Sequence, residues 1–269
     1  MRWNDIVTSA LLIEVAVDKP GNVGPRHHFN NMAIGEFTRS AFAIGAVMQN
    51  AIDQAWPFGY TVYQAVTASL EAAGGVNVHL GTILMVTPLV LGFDSNWRQG
   101  IIHIIRGISL EDTDWTFRAM AKADPGGLDR NDTVHDDVFK PAARPLLEVF
   151  RSAAHYDWVA REYCRMFGTV FGPWSSHLKT LVDHGQAWNV AVWSLFMKIL
   201  QEGPDSLWIR KNGLDAAERQ YQRIKQVIAQ QSYDLLPQLL EDSKNRWNPG
   251  TTADLVAASV LVTLVEGNQ

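Results

Sequence analysis

Four short segments carry the side chains able to do chemistry, concentrating glycine, proline, asparagine and charge beside apolar stretches. They are Lys19-Pro20-Gly21-Asn22-Val23, Gly74-Gly75-Val76-Asn77-Val78-His79, Asp205-Ser206-Leu207-Trp208-Ile209-Arg210-Lys211 and Asn248-Pro249-Gly250-Thr251-Thr252-Ala253-Asp254. The guanidinium of Arg210 next to the point charge of Lys211 suits a polyphosphate. Glycines ahead of a helix start leave free backbone N–H groups that suit an anion. Glu14 adds a carboxylate among the apolar helical neighbours Ala10, Leu11 and Val17, where partial desolvation raises its pKa or demands a cationic partner. None of these completes a common catalytic motif. The glycine-rich pieces lack the Lys-Ser/Thr ending of a phosphate loop, Gly74-Gly75 lacks dinucleotide spacing, and His27-His28 is not a metal motif by spacing alone.

Every one of these residues also has a purely structural reading. Glu14 can pair with Lys19 at a helix boundary. Asn77 can cap the helix that begins near Leu80, with His79 a satisfied histidine at the edge of the core. Asp205 can be a helix N-terminal residue favoured by the dipole, and Arg210-Lys211 a solvated face. Thr251-Thr252-Ala253-Asp254 fits a cap in which a hydroxyl is followed three residues later by an acid. A carboxylate at that helix start repels a directly bound phosphate, so a functional Asp254 requires a bridging cation or contact with a hydroxyl.

The elements that must position these loops read as helices. Apolar residues recur at helical spacing from Asp5 to Val17, and Lys19-Pro20-Gly21 ends that run. Further helices are predicted over 36–54, 61–73, 80–91, 97–106 and 111–123, then with breaks over 144–200, and over 215–231, 233–244 and 252–265. An acidic stretch at 132–137 reads as surface. No alternating β-branched run points to a sheet. The 269 residues, 47% of them hydrophobic, therefore predict one all-α domain spanning 1–269. Its last helix is apolar all round and so central.

Composition narrows the setting. A single cysteine, Cys164, allows no intramolecular disulfide and fits the cytoplasm. The stretches 80–93 and 255–265 fall short of a membrane span and read as core helices. A net charge of -5 argues against a nucleic-acid interface. Ten tryptophans leave room for a homo-oligomeric contact.

Taken together, the segments resemble the triphosphoribosyl-dephospho-CoA synthase family along nearly the whole chain. The resemblance rests on Glu14 with Lys19-Pro20-Gly21-Asn22-Val23, on Phe37 to Ala41, on Gly75-Val76-Asn77-Val78-His79-Leu80-Gly81, on Asp205 to Lys211, and on Pro249 to Leu255. Asp124-Pro125-Gly126-Gly127-Leu128, Pro204 to Leu207 and Asn248 to Thr252 are similar to a branch found with methanopterin-linked one-carbon metabolism. Leu80 stands where the citrate-lyase branch carries a lysine, and Asn30-Asn31 where it tends to have an Asp.

The resemblance implies a cytoplasmic, ATP-dependent transferase that joins ribose C1 of ATP to the 2′-hydroxyl of dephospho-CoA and releases adenine. It implies Lys19, Arg210 and Lys211 on phosphates, and Asn22, Asn77, Gly81 and Thr251 at the nucleotide. Glu14 or Asp254 would meet the reacting ribose or hydroxyl, His79 would donate a proton to adenine, and Asp205 would contact Mg²⁺. The departures at Leu80 and Asn31 keep two other outcomes open, an acceptor from pterin or one-carbon cofactor synthesis and a non-catalytic nucleotide-binding protein.

Overall fold

Helical spacing of apolar residues carries most of the chain into α1 (Trp3–Val15), α2 (Ile34–Asp53), α3 (Phe58–Ala72), α4 (Leu80–Leu91), α5 (Trp97–Gly107), α6 (Leu110–Ala123) and α7 (Leu146–Ala153). There follow α8 (Trp158–Cys164), α9 (Ser175–Asp183), α10 (Trp188–Leu200), α11 (Ser206–Asn212), α12 (Leu214–Ala229), α13 (Leu236–Leu240) and α14 (Gly250–Gly267). A π-helical turn at Val170–Trp174 leads into α9, and a 3-10 turn at Tyr233–Leu235 leads into α13. The computed structural model describes residues 2–30, 32–124, 139–242 and 244–267. Asn31, the stretch 125–128 and the acidic run 132–137 lie outside the described residues. Among the described residues the only strand-like pairing is an isolated bridge between Phe29 and Met32, as the all-α expectation requires.

Local chemistry accounts for these elements. In α1 the buried positions Val7, Ala10, Leu11 and Glu14 recur three and four apart, forming one face toward α2 and α14. The α6 start is a reciprocal cap: the Asp112 N–H donates to Ser109 Oγ at 3.0 Å, and the Ser109 N–H donates to Asp112 Oδ2 at 3.0 Å. Pro88 sits inside α4 and has no N–H to give the carbonyl of Leu84. Tyr163 of α8 donates its hydroxyl to that carbonyl at 2.5 Å. Burial of this phenol pushes its pKa well above 10, so it stays a donor.

The last helix is the hub. Leu255, Val256, Ala258, Val260, Leu261, Val262 and Val265 are all buried, against α1, α4, α9 and α10. The helix is longer than its apolar run: at 18 residues and a mean hydropathy of 1.3 it could cross a membrane by length and composition, correcting the expectation that it falls short. Here it is instead the core that the other helices cover. Because it starts at Gly250, its N-terminus and that of α4 come together in the interior, and the glycine-rich loops come with them.

Candidate active site

One hydrogen bond joins α4 to α14, and two more fix the α14 start. Thr82 Oγ donates to Asp254 Oδ1 at 2.5 Å. Asn22 Nδ2 donates to Asn248 Oδ1 at 2.7 Å and to the carbonyl of Pro249 at 3.3 Å. That ties the first glycine-rich segment to the α14 start. Gly21 makes this turn possible with φ of 79°, and a Cβ there would lie 2.9 Å from Pro249 Cδ.

Beside the junction opens a cavity of about 1160 Å³. All the sequence-predicted site residues line it except Lys19 and Asp205: Glu14, Asn22, Asn77, His79, Gly81, Arg210, Lys211, Thr251 and Asp254. The N-terminal ends of α4 and α14 face it with Gly81 and Thr82, and with Gly250 and Thr251. Free N–H groups at such ends favour negative charge, which at α14 a buried carboxylate already supplies. Arg210 and Lys211 from the last turn of α11 also line it, with Lys122 of α6.

Lys19 is not placed to hold a phosphate. Its side chain is fully buried, 3.0 Å from Glu14 Oε1, and it donates to the carbonyls of Glu14 at 2.5 Å and Val17 at 2.9 Å. An ammonium has three protons, and these partners use all of them. Asp205 is likewise spent. Its Oδ1 accepts from the Leu207 N–H at 2.8 Å, and its Oδ2 accepts from the Thr252 N–H at 2.7 Å and Thr252 Oγ at 2.8 Å. One buried carboxylate thus caps α11 and α14 together. The Thr251-to-Asp254 capping pattern is replaced by this bond to Thr252, and Asp254 turns to Thr82 instead.

Gly81 acts through what it lacks, since a Cβ there would fall 2.0 Å from Asp254 Oδ2. Asn77 does both jobs weighed for it, lining the cavity while its Oδ1 accepts from the Leu80 N–H at 3.2 Å. Arg210 faces the cavity with Nη1 held by Asp157 Oδ2 at 2.5 Å, and its buried Nε has no partner among the described residues. Lys211 donates to the carbonyl of Asn245 at 2.5 Å.

Electrostatics separate the two carboxylates. Burial raises Asp254 to about 7, Thr82 pulls it partly back, and the charges of Asp205 and Glu14 add to the rise. Glu14 is also raised by burial but is drawn down by Lys19, so its charge already has a partner. Burial lowers His79 to about 3. The imidazole is therefore neutral at pH 7.

Over residues 1–269 the sequence matches the family described as CitG, ATP:dephospho-CoA triphosphoribosyl transferase. The chain belongs to this family. It is a transferase whose substrates are ATP and dephospho-CoA. The fold is similar to that of a solved protein from Archaeoglobus fulgidus, provisionally designated a triphosphoribosyl-dephospho-CoA synthase. That likeness has a TM-score of 0.67 at 23% identity and covers 86% of this chain and 99% of the other. No curated protein matches the transferase.

Several residues that line the transferase cavity or support its lining carry no role from sequence. Asp157, just before α8, accepts from the Ala160 N–H at 3.0 Å as it holds Arg210; an acid ahead of a helical run was the available signal. Thr82 and Lys122 had none, because a threonine in an apolar helix and a lysine on an amphipathic one are unremarkable by type. Ser40 lay in a quoted motif without a role, and its hydroxyl meets His79 Nδ1 at 2.7 Å.

Proposed function

We propose that this cavity performs the transfer, with Asp254 as the base for the 2′-hydroxyl of dephospho-CoA. A base works best with a pKa near the operating pH, and Asp254 at about 7 is the one lining carboxylate shown with that value, with no ion pair to it among the described residues. That observation carries the assignment of Asp254 over Glu14. The hydroxyl proton passes to Asp254 as its oxygen bonds to ribose C1. The bond from C1 to the adenine nitrogen breaks with its electron pair on adenine, which takes a proton from water as it leaves, while Asp254 returns its own proton to solvent.

The remaining residues divide by charge. Arg210 and Lys211 bind the triphosphate, and Gly81 and Thr251 line the cavity beside the nucleotide. Glu14, Asn22, Asn77 and His79 surround the nucleoside. A cavity of about 1160 Å³ exceeds the roughly 300–1,000 Å³ of one small-molecule pocket and so suits two substrates held together. No group of three or more His, Cys, Asp or Glu able to hold a metal exists among the described residues. A Mg²⁺ carried on the phosphates needs only one or two carboxylates, and the spent Asp205 is not free to be one of them. When bound, the ion would neutralise phosphate charge.

Nothing about the lining favours a pterin acceptor or a non-catalytic role over this reading. A single cysteine with no partner, Cys164, supports a cytoplasmic setting. The test of the reaction is product analysis from ATP with dephospho-CoA. Free adenine and a triphosphoribosylated coenzyme are expected, whereas ADP or AMP would overturn the reading.

A further inference from the structure

The segment Phe37 to Ala41 belongs to the motif set, yet the transfer as described gives it no task. Its side chains surround His79. Phe37 packs edge-on against the imidazole with centroids 5.0 Å apart and planes at 81°. Ser40 Oγ lies 2.7 Å from His79 Nδ1 and 2.7 Å from Ser69 Oγ of α3. Ser40, Ser69 and His79 are each at most 3% exposed, so water does not enter the count of protons.

That count fixes the ring. A serine hydroxyl has one proton. Ser69 Oγ has no hydrogen-bond partner other than Ser40 among the described residues, so its proton goes to Ser40 Oγ. Ser40 then directs its own proton to the imidazole, Nδ1 must be the acceptor, and the ring hydrogen sits on Nε2. Nε2 is buried without a partner, on a residue that lines the cavity. An N–H left unbonded in such a place costs about 1–3 kcal/mol, a cost removed when a ligand acceptor arrives.

We propose that Ser69 and Ser40 are positioning residues that hold His79 as the Nε2–H tautomer, so that it presents a neutral hydrogen-bond donor to a ring nitrogen of the departing adenine. This rests on the transfer reading above. The donor stabilises charge growing on the base as the bond to C1 breaks, and no proton leaves His79. The chain Ser69 to Ser40 to Nδ1 has no further source that could refill it.

Nitrogen-15 NMR of the imidazole at pH 7 tests the tautomer without turnover, with His79→Gln identifying the signal. The expected wild-type pattern is a protonated Nε2 and an unprotonated Nδ1, becoming a mixture in Ser40→Ala. A wild-type Nδ1–H pattern would overturn the proposal, whether or not adenine is released. In adenine-release assays Ser40→Ala should lower kcat about tenfold, the worth of one aligned hydrogen bond. His79→Gln, whose amide can donate near the Nε2 position, should retain clearly more activity than His79→Ala. Equal loss in those two variants would also refute the donor role. If wild type releases no adenine while the NMR pattern holds, the transfer reading fails and the tautomer assignment survives.

Discussion

Gly81 and Asp254 share the space of one side chain, since a Cβ on residue 81 would fall 2.0 Å from Asp254 Oδ2. α4 can therefore present Thr82 to the carboxylate, at 2.5 Å, only if its first turn has no side chain at position 81. Gly81→Ala should push the carboxylate aside. A displacement near 1 Å at a reacting group costs about 100-fold in rate, and overpacking costs about 1–3 kcal/mol. Steady-state kinetics with a thermal melt check both. Wild-type kcat in a folded variant would remove Asp254 from the chemistry.

Asp254 also ties activity and stability to pH in opposite directions. Its folded pKa of about 7 lies above the ordinary 3.8. As a base it works ionised, so kcat should rise with pH below 7 and level off above. The folded state holds a proton between pH 4 and 7 that the unfolded state has released. Stability from this group is therefore full below about pH 4 and is lost as pH rises through 7. Asp254→Asn should be inactive at every pH yet melt higher than wild type at pH 8, with the difference shrinking at pH 5. Equal melting differences at the two values would contradict the raised pKa.

Lys19 should matter to the fold and little to ATP. Lys19→Met leaves Glu14 buried without its cation, and breaking such a pair costs roughly 3–5 kcal/mol. Glu14 would take up a proton instead of remaining charged. A drop in denaturation midpoint with the KM for ATP unchanged in the folded fraction is the expected result. A KM increase without loss of stability would return Lys19 to the phosphates.

What was legible follows from what side-chain type encodes. The apolar surround of α14 placed it at the centre, and the glycine, asparagine and acid content of four loops marked the cavity, because both depend on local composition. Partnership across the chain was not encoded locally. Lys19 and Arg210 are each a cation beside a glycine- or proline-rich turn. One turns back onto Glu14 and Val17 at the end of α1, a pairing the sequence did offer, and the other opens on the cavity held by Asp157, 53 positions away. Thr82 and Asp254 are 172 positions apart, and a mid-helix threonine gives no sign of its acceptor. The burial that keeps His79 neutral was hidden for a similar reason, since it comes from Phe37 and Ser40 of α2 packing on the start of α4.

Asp205 distinguishes a structural carboxylate from a metal ligand. Both oxygens accept N–H bonds at the starts of α11 and α14, so Asp205→Asn keeps one carbonyl oxygen and must turn an NH₂ toward the other donors. Losing a cap of this kind costs about 0.5–2 kcal/mol, and a buried mismatch adds to that. The α14 start carries Thr251 and Asp254 into the cavity, so turnover should fall in step with stability, while the Mg²⁺ concentration giving half-maximal rate stays put. A Mg²⁺ titration of wild type and Asp205→Asn at equal folded concentration measures this. A shift of that midpoint by tenfold or more would make Asp205 a ligand.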